Sequence, residues 1–229
     1  RVTIDAGTGD DSISNNCDKV TMLGGAGDDT ISNSGKRVFI SGDEGNDFIS
    51  NGTLGHYSSV DGGAGDDSIQ INYGKYSSIN AGDGNDSIYI EKYGTAYATV
   101  LGGAGNDSVT VDWIDAVING GDGDDYIKLY SHAKYTFIQY NEGDGNDKIR
   151  GFNEDDTLQI AGSSYSTKKS GKNIIVTVGK GKVTLVGAAA LSAVNIDANN
   201  VWHGFILNCH SCTNRATCAR VYVRHYPNF

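Results

Sequence analysis

Apolar residues in the first 150 positions recur in two short alternating patterns. Ile13, Ile31, Ile49, Ile69, Ile88, Val109, Ile127 and Ile149 each follow an Asp by two residues. Ile4, Met22, Ile40, Val60, Ile79, Val100, Ile118 and Tyr140 each stand two residues before a glycine-rich turn. The residue between this second set and the turn faces the other way, and is Asp5, Leu23, Ser41, Asp61, Asn80, Leu101, Asn119 or Asn141. Alternation with period two marks a strand with one buried face. The Asp residues that mark successive units are spaced by 18, 18, 20, 19, 21, 18 and 22 residues. Such a period is too long for one strand and turn, and suits a coil of two strands and two turns that stacks on itself. The prediction is an all-β chain, a parallel β-roll or β-solenoid of about eight turns contributing rows to two facing parallel sheets.

The turns themselves carry chemistry. They read Ala6-Gly7-Thr8-Gly9-Asp10-Asp11, Gly24-Gly25-Ala26-Gly27-Asp28-Asp29, Gly42-Asp43-Glu44-Gly45-Asn46-Asp47, Gly62-Gly63-Ala64-Gly65-Asp66-Asp67, Ala81-Gly82-Asp83-Gly84-Asn85-Asp86, Gly102-Gly103-Ala104-Gly105-Asn106-Asp107, Gly120-Gly121-Asp122-Gly123-Asp124-Asp125 and Glu142-Gly143-Asp144-Gly145-Asn146-Asp147. Glycines take positive φ at no steric cost, and the sixth residue is always Asp. One Asp in a Gly-rich turn needs only an Asx-turn to explain it. Eight in register ask for a hard cation, which prefers six to eight oxygens.

The pattern resembles the RTX (repeats in toxin) family, whose nonapeptide G-G-x-G-x-D-x-U-x builds a calcium-binding parallel β-roll. The resemblance covers about residues 2 to 150. It implies that each ion lies between two stacked turns, held by the side chains of Asp11, Asp29, Asp47, Asp67, Asp86, Asp107, Asp125 and Asp147. It further implies backbone carbonyls from the first, third and fifth positions. These are Ala6, Thr8 and Asp10; Gly24, Ala26 and Asp28; Gly42, Glu44 and Asn46; Gly62, Ala64 and Asp66; Ala81, Asp83 and Asn85; Gly102, Ala104 and Asn106; Gly120, Asp122 and Asp124. Asp and Asn alternate at the fifth position, so that side chain is read as facing solvent or lying behind the ligands. Alternate half-turns such as Asn33-Ser34-Gly35-Lys36-Arg37 and Tyr73-Gly74-Lys75-Tyr76 lack the acidic motif. One column of about seven calcium ions is expected, rather than two columns.

Charge makes the cation part of the fold. Stacked strands lie about 4.8 Å apart, and at an effective dielectric of 20 two carboxylates at that separation repel by roughly 3 kcal/mol. Seven such adjacent pairs would match or exceed the roughly 5–15 kcal/mol by which a domain is stable. The formal charge is −10, which seven divalent ions would take to +4. The acidity is therefore ligand supply and no sign of a basic partner. Basic clusters with interleaved aromatics, the footprint of nucleic-acid binding, are lacking. So is any apolar run of the eighteen or so residues that spans a bilayer.

Residues 151–197 change character. Asp156-Thr157-Leu158-Gln159-Ile160 reads as a strand, and Asn173–Val178 with Lys182–Val186 as a hairpin through Gly179-Lys180-Gly181. A solenoid needs its last apolar layer covered, and this segment is the expected cap. Residues 198–229 bring Cys209, Cys212, Cys218 and several His and Arg. That tail could hold zinc or a local disulfide, or have no role of its own. Tyr73, Tyr76, Tyr93, Tyr97, Tyr130 and Tyr135 lie along the metal-free edge, where they would either shield a thin core or stack on a carbohydrate or cell-surface ligand. Outward positions Thr3, Thr21, Phe39, Ser59, Ser78, Thr99, Val117 and Gln139 give a Thr array too broken for ice binding.

No nucleophile elbow, zinc helix or Walker loop is present, and a calcium-bound Asp is a poor general acid. The expected function is a non-enzymatic, secreted module that folds on extracellular calcium and serves as a structural, secretion-assisting or adhesin-type domain. The alternative is the non-catalytic carboxy-terminal region of a secreted hydrolase (lipase or metalloprotease) or toxin. The chain begins at Arg1 without a leader pattern, and reads as processed or as a piece of something longer. Type I secretion machinery is the export partner that the family resemblance implies.

Overall fold

A computed structural model describes residues 2–52, 55–91, 97–112, 115–161 and 164–198. Two sheets run side by side along the chain. The first stacks Val2–Thr8, Val20–Ala26, Phe39–Glu44, Ser59–Ala64, Ser78–Asp83, Thr99–Ala104, Val117–Asp122, Phe137–Asn141, Thr157–Ala161 and Asn195–Asp197, in sequence order. The second stacks Ser12–Asn15, Thr30–Asn33, Phe48–Asn51, Ser68–Ile71, Ser87–Ile90, Ser108–Val111, Tyr126–Leu129 and Asn146–Arg150. Gly181–Val186 then adds parallel, and Asn173–Val178 and Tyr165–Ser170 follow it as antiparallel strands. The molecule is thus an all-β parallel solenoid of about eight turns, and the strands after residue 150 extend the same two sheets.

The alternation places one apolar column on each inner face. Ile13, Ile31, Ile49, Ile69, Ile88, Val109, Ile127, Ile149 and Leu185 meet Met22, Ile40, Val60, Ile79, Val100, Ile118, Ile138 and Leu158, all of them buried. β-branched side chains dominate because they fit a pleated, two-sided stack with little rotamer loss.

Turn eight departs from the sequence register. Ile118 pairs with Ile138 and Val117 with Phe137, so Ile138 takes the inward place expected of Tyr140, and Phe137 the place expected of Gln139. Tyr140 instead lies two residues further on and pairs with Ile160. Two of the extra residues in the 22-residue spacing sit between Ile138 and Gly145, and the others precede Ile138.

The edge opposite the acidic turns carries, besides the tyrosines placed there from the sequence, an amide ladder that the sequence did not announce. Asn15, Asn33 and Asn51 form a buried ladder: Asn15 Nδ2 donates to Asn33 Oδ1 at 2.8 Å, and Asn33 Nδ2 to Asn51 Oδ1 at 2.8 Å. Further along, the same column becomes Ile71, Ile90, Val111 and Leu129. Beside it a second column holds left-handed φ in seven described turns, at Lys19, Arg37, Tyr57, Tyr76, Tyr97, Asp115 and Tyr135. Tyr57 stacks on Tyr76 with centroids 5.1 Å apart, and Tyr76 on Tyr97 at 5.0 Å.

Candidate metal centre

Each acidic turn leaves one strand and enters the next within six residues, so successive turns superimpose in register. The sixth-position carboxylates divide their two oxygens between two tasks. The first oxygen bridges turns: Asp11 N donates to Asp29 Oδ1 at 2.8 Å, Asp29 N to Asp47 Oδ1 at 2.7 Å, Asp47 N to Asp67 Oδ1 at 2.8 Å and Asp67 N to Asp86 Oδ1 at 2.7 Å. The ladder continues from Asp86 to Asp107, from Asp107 to Asp125 and from Asp125 to Asp147, where the distance is 3.2 Å.

The second oxygen has no protein partner. Oδ2 of Asp11, Asp29, Asp47, Asp67, Asp86, Asp107 and Asp125 is buried and unbonded in all seven. One such orphan would cost stability, and seven in one column fit a set of cation ligands better than seven separate defects.

The first-position glycines show where that cation fits. A Cβ built on Gly24, Gly42, Gly62 or Gly102 would collide at once with its own turn's Asp Oδ2 and with the next turn's first-position carbonyl, that of Gly42, Gly62, Ala81 and Gly120 respectively. Carboxylate and carbonyl oxygens from adjacent turns therefore converge on one small space, kept open by the lack of a side chain. Among the described residues no three His, Cys, Asp or Glu side chains come together. A cation on this edge must take most of its oxygens from the main chain, which suits calcium. The third-position carbonyls of Ala26, Glu44, Ala64, Asp83, Ala104 and Asp122 each accept one bond from the preceding turn's fourth-position N–H, leaving a second lone pair.

Burial raises the carboxyl pKa at Asp47 and Asp107, and pushes Asp86 up to about 6, Asp67 and Asp125 to about 7 and Asp147 to about 8. Neighbouring carboxylates add to this at Asp67, Asp86, Asp125 and Asp147, against the bond each accepts from a backbone N–H. A group so placed ionises willingly only beside a positive charge.

The fifth-position residues are exposed, except the half-buried Asn146, and form a ladder of their own in the opposite sense. Asp28 N donates to Asp10 Oδ1, Asn46 N to Asp28 Oδ1, Asp66 N to Asn46 Oδ1, and so on to Asn146 N and Asp124 Oδ1. The accepting atom is an Oδ1 that Asp and Asn both carry, and Asn46, Asn85, Asn106 and Asn146 add an Nδ2 donor to the preceding turn's oxygen.

The RTX calcium-binding nonapeptide repeat model, in four copies, matches residues 23–53, 77–89, 93–113, 115–129 and 143–159. These repeats are RTX repeats. The repeats indicate a calcium-binding repeat domain within this chain. No curated protein matches the sequence. Among solved structures it is similar to the extracellular lipase LipA from Serratia marcescens, with 17% identity and a TM-score of 0.39, over 80% of this chain and 37% of the lipase chain.

Other candidate residues fall elsewhere. Cys209, Cys212, Cys218 and Tyr93 lie outside the described residues, and Cys17 is exposed with a free thiol. Both faces of the Tyr76 ring are covered by Tyr57 and Tyr97, while Arg37 lies 5.4 Å over Tyr57. A sugar that stacks on an aromatic face finds none open on Tyr76. Among the described residues no helix is long and apolar enough to cross a membrane.

Proposed function

We propose that this chain is a calcium-gated folding module that works outside the cell, with its structural role, rather than catalysis, switched on by the ion. The observation that supports this is the column of seven buried, unbonded Asp Oδ2 atoms. The proposed ligands are the sixth-position carboxylates from Asp11 to Asp125, with main-chain oxygens of the first, third and fifth positions of adjacent turns. Calcium supplies the positive charge and the oxygen affinity that let these turns close. The protein does the rest: Oδ1 fixes each carboxylate to the neighbouring backbone, the glycines keep the space open, and the isoleucine columns bury the strands that follow.

On this reading the division of labour is sequential. Residues 1–150 respond to the ion, and residues 151–197 cover the last layer. Extracellular calcium modules bind at about 10⁻⁴–10⁻³ M, and stacked sites respond together because each closed turn orders the next. A chain held open at low intracellular calcium and closed outside is suited to export in an unfolded state. Circular dichroism tests this. Coil is expected in chelator at neutral pH and strand on adding millimolar calcium, along a sigmoidal titration, with magnesium a poor substitute because it demands a tighter octahedral shell. Equal strand content in chelator and calcium would overturn the reading.

A further inference from the structure

The second sheet turns one side to the core, through Ile127, Ile149, Val183 and Leu185, and the other side outward. The outward positions of its eleven strands carry no Asp or Glu, in a chain whose formal charge is −10. The outer face of the first sheet, by contrast, carries Asp5 and Asp61. From Ser12–Asn15 to Ser108–Val111 the outward residues of the second sheet are neutral, mostly Ser and Thr, with Gln70 and two aromatics, Phe48 and Tyr89. From Tyr126–Leu129 to Tyr165–Ser170 they bring Lys128, Lys148, Arg150, Lys182 and Lys168.

Sequence order scatters these bases, and strand pairing gathers them. Lys128 stands beside Arg150, Lys148 beside Thr184, and Lys182 beside Asn146. Thr184 then pairs with Ile175, and Ile175 with Lys168. At about 4.8 Å per strand the five bases lie within roughly 20 Å of one flat face. Lys148, Arg150, Lys168 and Lys182 are exposed. The ion pairs among the described residues, His132 with Asp112 and Lys134 with Asp155, include none of the five. Lys128 Nζ donates to Tyr130 Oη at 2.8 Å and lies 4.3 Å over its ring. Asp124 continues the outward row at the acidic edge, where its Oδ1 is taken by Asn146 N and Nδ2.

Such a patch on a rigid sheet attracts an anionic partner, and the rest of the face narrows the kind. A nucleic acid carries charge on every unit, and its single strands bind by stacking bases on open rings. Over the six neutral strands it would meet no base, and the Tyr130 ring is already covered by Lys128. A membrane surface is entered by exposed apolar side chains, whereas Ile175 and Val186, the apolar residues among the five bases, are half-buried. A linear sugar polymer fits both parts of the face. Its hydroxyls suit the Ser and Thr rows, and widely spaced acidic groups suit the basic end.

We propose that the outer face of the second sheet docks a linear acidic polysaccharide, with its carboxylates on Lys148, Arg150, Lys168 and Lys182 and its hydroxyls along the Ser and Thr rows. This goes beyond the calcium reading and needs only the closed coil. Isothermal titration calorimetry on the full chain, in millimolar calcium and low salt, tests it with a hyaluronan oligosaccharide as probe and neutral dextran of equal length as control. Hyaluronan should bind and dextran should not, and added salt should weaken the binding. Lys148→Gln combined with Arg150→Gln should weaken it about tenfold. Lys36→Gln combined with Lys75→Gln, on the edge opposite the acidic turns, should leave it unchanged. No binding of hyaluronan, equal losses in the two double variants, or tighter binding of duplex DNA or of phosphatidylserine vesicles than of hyaluronan overturns the inference. Circular dichroism of the same samples reads calcium-dependent folding separately, so a failure there belongs to the calcium reading alone.

Discussion

At the scale of single residues, the first position of each turn decides how well a cation is accommodated. Gly24, Gly42, Gly62 and Gly102 have no room for a methyl group, yet Ala81 brings one to the same place and is fully buried. Its Cβ must share the space with Asp86 Oδ2, which is unbonded like its neighbours. Ala81→Gly should therefore lower the calcium concentration at half-folding, although Gly in a strand ordinarily costs about 0.5–1 kcal/mol. Gly62→Ala should raise it. A calcium titration followed by circular dichroism reads both variants, and an Ala81→Gly chain that needs more calcium would contradict the geometry.

At the scale of strands and ladders, the two edges of the coil are held by different physics. On the proposed reading bound calcium closes the acidic edge, whereas the opposite edge is closed by an amide ladder and stacked rings. Asn33 both accepts from Asn15 Nδ2 and Gly35 N and donates to Asn51 Oδ1 and Gly35 O. Asn33→Ala leaves buried partners on both sides unpaired and should cost about 2–4 kcal/mol. Urea unfolding in saturating calcium measures it, and a loss below about 1 kcal/mol would mean that the ladder only fills space. The tyrosines next to it accept the left-handed conformation, unfavourable by about 1–2 kcal/mol for a residue with a Cβ, and recover part of that through their stack.

These elements also show what a sequence can and cannot reveal. The stacked acidic edge was legible because one letter, Asp, recurs at the same place in every turn and always two residues before the inward Ile or Val. The Asn ladder was not, because it runs for three turns and then gives way to Ile71 and its successors, so no letter persists. The place of Tyr140 was hidden for a different reason. A spacing of 22 shows that residues have been inserted, but only strand pairing shows on which side of Tyr140 they fall. Tyr165–Ser170 was missed because it is exposed throughout, as befits an edge strand guarded by Lys168 and Lys169.

At the scale of the whole molecule, stability follows protons when calcium is withheld. The ordinary carboxyl value is 3.8, while in the closed coil Asp86 rises to about 6, Asp67 and Asp125 to about 7 and Asp147 to about 8. The folded, metal-free chain thus holds protons that the unfolded chain releases, so its stability falls as pH rises from about 4 to 8. Thermal melts in chelator should show more structure at pH 5 than at pH 8. Calcium should remove most of that dependence at neutral pH, and its midpoint should climb as the pH is lowered, because protons and calcium compete for the same oxygens. A metal-free chain more stable at pH 8 than at pH 5 would contradict the assignment of buried carboxylates.

The central claim is that divalent ions lie between the acidic turns and hold them shut. Crystals grown in calcium and measured at long wavelength give a calcium anomalous difference map, which sees the ions themselves. The account predicts a single file of peaks along the edge from Asp11 to Asp125, each between two successive turns and within about 2.3–2.6 Å of the Asp Oδ2 atoms. Closed turns with no peaks, and carboxylates bonded to water or to protein instead, would contradict it.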